Sequence, residues 1–301
     1  MATAQVPATT APTQEATRRK AKAPRDRGKA SVGTRVVLAV ICVLWLVPVI
    51  GTLVTSFRTE ENANSTGWWT VLTHPALTLS NYHDVIVQAD LGQAFVNSFA
   101  ITLPATFIPI LVAAFAAYAF TFMEFWGREA LFVIVVSLLV VPNYVSFVPI
   151  LKIYANIHLA GEFPAAWLAH IGFGMSLAIY ILRNYMATLP RTVIESAQID
   201  GASHFQTFYR LILPMSVPAL ASFAIFQFLW VWNDLLVSLV FIQPGDNAPL
   251  PVAVSQLIGQ QGQNWNLVTA GGFFSMIVPI LVFLALQRYF VRGLTAGAVK
   301  G

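Results

Sequence analysis

Charge is scarce in this 301-residue chain: Asp, Glu, Lys and Arg make up 10% of it, against about 25% in a typical soluble domain. Cysteine is scarcer still. Cys42 is the only one, so neither an intramolecular disulfide nor a cysteine-based metal site can form. No His, Asp or Glu group has metal-ligand spacing, and no Ser/His/Asp set stands out. The phosphate-cradling pattern Gly, four residues, Gly-Lys-Ser/Thr does not occur, so hydrolysis of ATP on such a loop must be done by another polypeptide. These absences predict a non-enzymatic chain without metal or cofactor.

What is abundant is apolar surface. Hydrophobic residues are 57% of the chain and mean hydropathy is +0.69. Apolar runs of about 20 residues recur along most of the length, the mark of an all-α protein that crosses a membrane repeatedly. Six spans are predicted, roughly 36–57, 94–122, 130–151, 164–186, 215–241 and 267–287. Cys42 lies inside the first and reads as a lipid- or helix-facing filler. Residues 1–34 are Ala/Thr/Pro-rich and then basic (Arg18, Arg19, Lys20, Lys22, Arg25, Arg27, Lys29), with nothing to build a core, and read as a disordered tail. The apolar run after Arg35 is too long for a signal-peptide core and is read as an uncleaved span.

The basic residues set the orientation. With six spans, only Arg58 and Lys152 fall on one side; every other Lys and Arg falls on the other. That asymmetry predicts both termini, and the loop between spans four and five, in the cytoplasm. It also accounts for the net charge of +4 without nucleic acid. The basic tail is available to anionic membrane lipid. Of the outer loops, the one over about 58–93 carries Trp68 and Trp69, read as interfacial anchors in preference to a sugar-stacking platform. The one over 242–266 carries Asp246, Gln256, Gln260, Gln261, Gln263, Asn264 and Trp265 with no basic residue, and suits a partner protein, an entrance or simple solvation.

The cytoplasmic loop, residues 190–214, is the most organised polar segment. Pro190 suits a first helical turn and Thr188 a cap. A helix is expected from Arg191 to Asp200, stopped by Gly201 in a left-handed conformation. A second is expected from Ala202 to Leu213, with Pro214 restarting the chain at the next span. Ser196, Ala197 and Ala202 are small enough to let another surface approach. Glu195 and Asp200 add negative charge to a basic face. On composition, an amphipathic connector fits equally well.

The spacing favours docking. Glu195-Ser-Ala, three residues, Gly201, nine residues, Leu211, one residue, Leu213-Pro214 resembles the EAA loop of ABC-importer permeases. Ser196 and Leu211 stand where that pattern has Ala and Ile. Leu182-Arg-Asn-Tyr, Ile199-Asp-Gly-Ala-Ser203, Phe226-Gln-Phe-Leu-Trp-Val-Trp-Asn-Asp234 and Gln287 to Gly301 are similar to the carbohydrate-uptake, maltose-type branch. The resemblance covers residues 36–301. It implies an importer permease fold with six transmembrane helices and a coupling helix. It also implies a bacterial inner-membrane location, a second homologous permease, a cytoplasmic ATP-binding subunit dimer and an extracytoplasmic sugar-binding protein. ATPase coupling would fall to Glu195, Ser196, Ala197, Asp200, Gly201, Ala202, Leu211 and Pro214.

Polar residues within spans are the substrate-path candidates, since they are costly there without a role. Asp234 and Asn233 lie near Gln227 and Trp230, a carboxylate, two amides and an aromatic face suited to a sugar. A place for Asp234 near the outer interface, and a hydrogen bond from Asn233 holding span five to a neighbour, compete with that reading. Asn143 beside Pro142 predicts a broken third span, lining a cavity or packing. His170 reads as a satisfied packing residue. The leading expectation is a permease subunit of an ATP-driven importer for an oligosaccharide or glucoside. Importers of a polyamine, peptide or phosphonate, a membrane-embedded enzyme and an ion-coupled transporter are the alternatives.

Overall fold

The computed structural model describes residues 31–258 and 264–298, with the backbone alone beyond Gln287. The basic cluster Arg18–Lys29 and the loop residues Gln260, Gln261 and Gln263 lie outside the described residues. The chain divides into two compact units, Met1–Pro48 and Val49–Gly301. In the first, the described part is the apolar helix that begins at Val32, with Cys42 exposed on it; this helix ends at Ser56.

In the second unit the described residues are helical, with no strand beyond the isolated bridge between Arg58 and Leu77. Leu91–Phe122 is the second span and Phe163–Met186 the fourth, both unbroken; Trp265–Gln287 is the apolar part of the sixth. They meet through small residues. Ala105, Ala113 and Ala117 on the second span and Ala165, Ala166 and Ala178 on the fourth are fully buried, letting the backbones approach where lipid gives no hydrophobic drive for association. Leu182, Met186, Phe208, Ile212 and Phe223 complete the core at the end that carries the 190–214 loop.

Two spans are bent pairs. Arg128–Val140 and Asn143–Asn156 meet at 92°, with Val141 and Pro142 extended between them. Pro142 cannot donate a ladder bond and biases Val141 away from helix. Within the expected span over 215–241, Val217–Trp232 stops at Asn233, and Leu236–Phe241 forms a separate helix. Pro214 does not restart the chain. It lies inside the turn Leu213–Met215, and the 72° bend falls at Ser216.

The 58–93 loop is ordered by polar bonds. Arg58 is buried and donates from Nη1 to the Thr66 carbonyl (3.0 Å) and from Nη2 to the hydroxyls of Thr66 and Thr70. Asn81 donates to the carbonyls of Ser56 and Arg58, and accepts from Asn266 at the start of the sixth span. Trp68 packs on Gly51, where a Cβ would come within 2.8 Å of its indole nitrogen. It meets Trp69 edge-on at 76°, so the two rings form no flat platform.

Candidate functional site

The 190–214 loop folds as a helical hairpin with both ends of its turn satisfied. Its first helix runs Arg191–Ile199 with Pro190 at the cap position, one residue earlier than a first-turn proline. Thr188 does not cap it; its hydroxyl donates back to the Tyr185 carbonyl at 2.7 Å. At the other end the Gly201 amide donates to Gln198 and the Ala202 amide to Ala197. These are the paired bonds of a Schellman stop. They require φ of +76° at Gly201, a conformation glycine adopts without steric cost. A Cβ there would meet nothing within 4 Å, so conformation and not space demands glycine.

The second helix starts at His204 and not at Ala202. Ser203 and Gln206 form a capping box, each side chain bonded to the other's amide. The chain continues through the π-helical turn Phe208–Ile212. Phe208 stacks on Phe115 of the second span (4.4 Å between centroids), and the Tyr118 hydroxyl lies 3.2 Å from His204 Nδ1. The hairpin is thereby fastened to a long membrane helix.

The first hairpin helix has two faces. Ile194 and Ala197 are buried. Ala197 therefore lies on the buried face of this helix. Glu195, Ser196, Asp200 and Gly201 are exposed, Ala202 and Leu211 are half-buried, and Pro214 is exposed. The Ser196 hydroxyl is already used, donating to Thr192. Sequence reasoning missed Ile199, which is 85% exposed at the tip. Its signal was readable: it falls off the 194–197 stripe that the core buries. Also missed was a polar cavity of about 530 Å³ beside this helix, bordered by Glu124, Arg128, Arg191, Glu195, Gln198 and His204.

The five substrate-path candidates are not one cluster. Asn143 and Trp230 border a cavity of about 440 Å³ with Ser146, Gly172 and Ser176. Gln227 is fully buried elsewhere: its Nε2 donates to the Ala105 carbonyl (3.2 Å), and its amide lies against Gly174. It clasps spans two, four and five. Asn233 is exposed and bonds only to Leu229 of its own helix. Asp234 accepts from the Val237 amide, in the first turn of the next helix, at 2.7 Å. His170 is buried with Nε2 unpartnered, not satisfied as the sequence suggested. Among the described residues no metal-binding group of His, Cys, Asp and Glu forms.

An all-helical chain with up to six apolar spans and a capped hairpin between two of them is a polytopic membrane protein. The chain belongs to the binding-protein-dependent transport system inner membrane component family, whose model matches residues 109–296. It is 52% identical over 270 residues to the osmoprotective compounds uptake permease protein GgtD of Synechocystis sp., covering 88% of this chain and 91% of that one. It is 51% identical over 255 residues to the alpha-glucoside transport system permease protein AglG of Rhizobium meliloti, covering 83% and 67%. Its fold matches a subunit of a bacterial ABC transporter involved in import of the acidic polysaccharide alginate, at TM-score 0.73 and 18% identity over 86% of this chain and 95% of that one. The chain is a permease subunit of a binding-protein-dependent ABC importer, and ATP hydrolysis belongs to a separate subunit.

Proposed function

We propose that this chain carries a neutral sugar or glucoside across the membrane, and that ATP binding elsewhere drives it through the Arg191–Ile199 helix. The observation that carries the coupling reading is the hairpin. A rigidly stopped helix presents Glu195, Ile199 and Asp200 outward, while Phe208 and Tyr118 join the same hairpin to the second span. A load applied to that face reaches the second span through the Gly201–Ser203 turn and the capped helix that follows it. The accepting surface is a cytoplasmic ATP-binding subunit dimer, with Glu195, Ser196, Asp200 and Gly201 at the contact. Ala197, Ala202, Leu211 and Pro214 hold the hairpin's shape.

Both termini lie in the cytoplasm, a second homologous permease completes the pathway, and an extracytoplasmic binding protein delivers the solute. Support for the substrate class comes from the relatives, among them the alpha-glucoside permease at 51% identity and the trehalose transport system permease protein SugB of Mycobacterium tuberculosis at 34%. A state-switching bundle responds only to ligands that bind its two states unequally, so transport must require both nucleotide and loaded binding protein. The test is uptake of labelled trehalose and sucrose by proteoliposomes holding the whole complex. Uptake should need ATP on the hairpin side and binding protein on the other. Equal uptake without either component would refute the reading.

A further inference from the structure

The second half of the hairpin, residues 204–212, is apolar on two sides. Phe208 and Ile212 are buried in the core. Phe205 and Tyr209, one turn apart, face away from it, 65% and 62% exposed. Their rings are parallel to within 4° at 6.4 Å between centroids. Phe205 also stacks on Phe115 of the second span, at 6.4 Å and 13°. Phe115, Phe205 and Tyr209 thus make one continuous row of exposed rings.

The row continues along the second span. Phe107, Leu111 and Phe115 are spaced one turn apart and are all exposed. Every exposed residue from Leu103 to Phe115 is large and apolar, whereas the packed side of the same helix carries Ala105, Ala113 and Ala117. Helix contacts in a bilayer favour small residues that let backbones approach. A side built only from large apolar residues suits acyl chains instead. The depth agrees. Leu91–Phe122 has 32 residues, so it is about 48 Å long, against about 30 Å of hydrocarbon. Centred, it projects about 9 Å at each end, and Phe115 stands about 10 Å from the Phe122 end. Phe115 therefore lies where hydrocarbon meets headgroups, with Phe205 and Tyr209 beside it. Aromatic rings with a polar edge concentrate at that level. Arg210, exposed next to Tyr209, pairs with no described carboxylate, and its guanidinium suits a lipid phosphate.

We propose that membrane lipid covers this row, so that Phe205 and Tyr209 seat the second hairpin helix at the headgroup boundary with Arg210 on a lipid phosphate. The docking face and the interfacial helix, alternatives for the loop as a whole, then belong to its two halves. The first helix turns Glu195, Ile199 and Asp200 outward, and the second rests on the bilayer. The inference needs only a chain that crosses the membrane; neither the sugar nor the ATPase contact enters it.

The test is nitroxide accessibility in the whole complex in lipid nanodiscs, with Cys42→Ala and no reactive cysteine on the other subunits. Labels at Phe205→Cys and Tyr209→Cys, placed one at a time, should meet dissolved oxygen more than the water-soluble chelate NiEDDA. A label at Glu61→Cys, exposed in the 58–93 loop, should show the reverse order. Adding Phe205→Ser to the Tyr209→Cys chain should shift its label toward the chelate, and adding Phe205→Leu, which stays apolar, should not. Greater access to the chelate than to oxygen at 205 and 209 would place the rings in water and overturn the lipid seat. Immobilised labels reached by neither reagent would put the ATP-binding subunit or the second permease on the row, and would overturn it as well. A Tyr209 label unmoved by Phe205→Ser would also overturn it, since the rings would then not be what seats the helix.

Discussion

Two glycines constrain this molecule for opposite reasons, and they fail differently. At Gly201 there is room for a side chain but the backbone is left-handed at φ +76°. Gly201→Val should add strain of about 1–2 kcal/mol, more for its branched Cβ, and deform the hairpin turn. The expected outcome is normal membrane accumulation with uptake lost. Normal ATP-driven uptake by this variant would count against a coupling role for the turn. Gly174 has ordinary helical backbone but no room: a Cβ would lie 2.8 Å from Gln227 Oε1. Gly174→Ala should push Gln227 off the Ala105 carbonyl and cost about 1–3 kcal/mol, read as a lower melting temperature of the purified protein. An unchanged melting temperature would contradict the three-span clasp. The sequence showed Gly201 clearly, because its spacing from Glu195 and Leu211 is a chain-local pattern. It did not show that Gln227 faces Gly174 while Trp230 faces Asn143. Residues three apart on one helix read as neighbours, but here different spans pack against each.

At the scale of elements, the hairpin depends on its caps more than on its length. The helix beginning at His204 has only one α-turn before the π-turn, so the Ser203–Gln206 box supplies much of its definition. Ser203→Ala should cost about 1 kcal/mol, seen as faster amide exchange over 204–208 with little change in the spans. Unchanged exchange there would deny the box that role. This start was legible: Ser203, two residues, Gln206 is the capping pattern, and it outranks the helix propensity of Ala202 that pointed two residues earlier. The break in the third span was legible too, from Pro142. The break in the fifth was not. No proline marks it, and only Asn233-Asp234 ahead of an apolar run carried the signal. Asp234, a carboxylate in the expected span, accepts from the amide of Val237.

For the molecule as a whole, hydropathy carries the architecture, because a bilayer constrains helices along the chain itself. What it could not carry is contact between distant residues. Arg58, Asn81 and Asn266 tie the 58–93 loop to the start of the sixth span, though Asn81 and Asn266 are far apart in sequence. The hairpin leans on the second span through Phe115, Tyr118 and Phe208. A membrane-spanning body thus carries an ordered 58–93 loop and a capped 190–214 hairpin. The central claim is that the hairpin's exposed face receives the ATPase. The measurement that tests it most directly is cross-linking of Ile199→Cys in a Cys42→Ala background, within the assembled complex. A short thiol cross-linker should join this chain to the ATP-binding subunit and stop uptake, and a reducible linker should restore uptake on cleavage. Free labelling of Ile199→Cys by a bulky thiol reagent in the assembled, transporting complex, with no adduct to the ATP-binding subunit, would contradict the account.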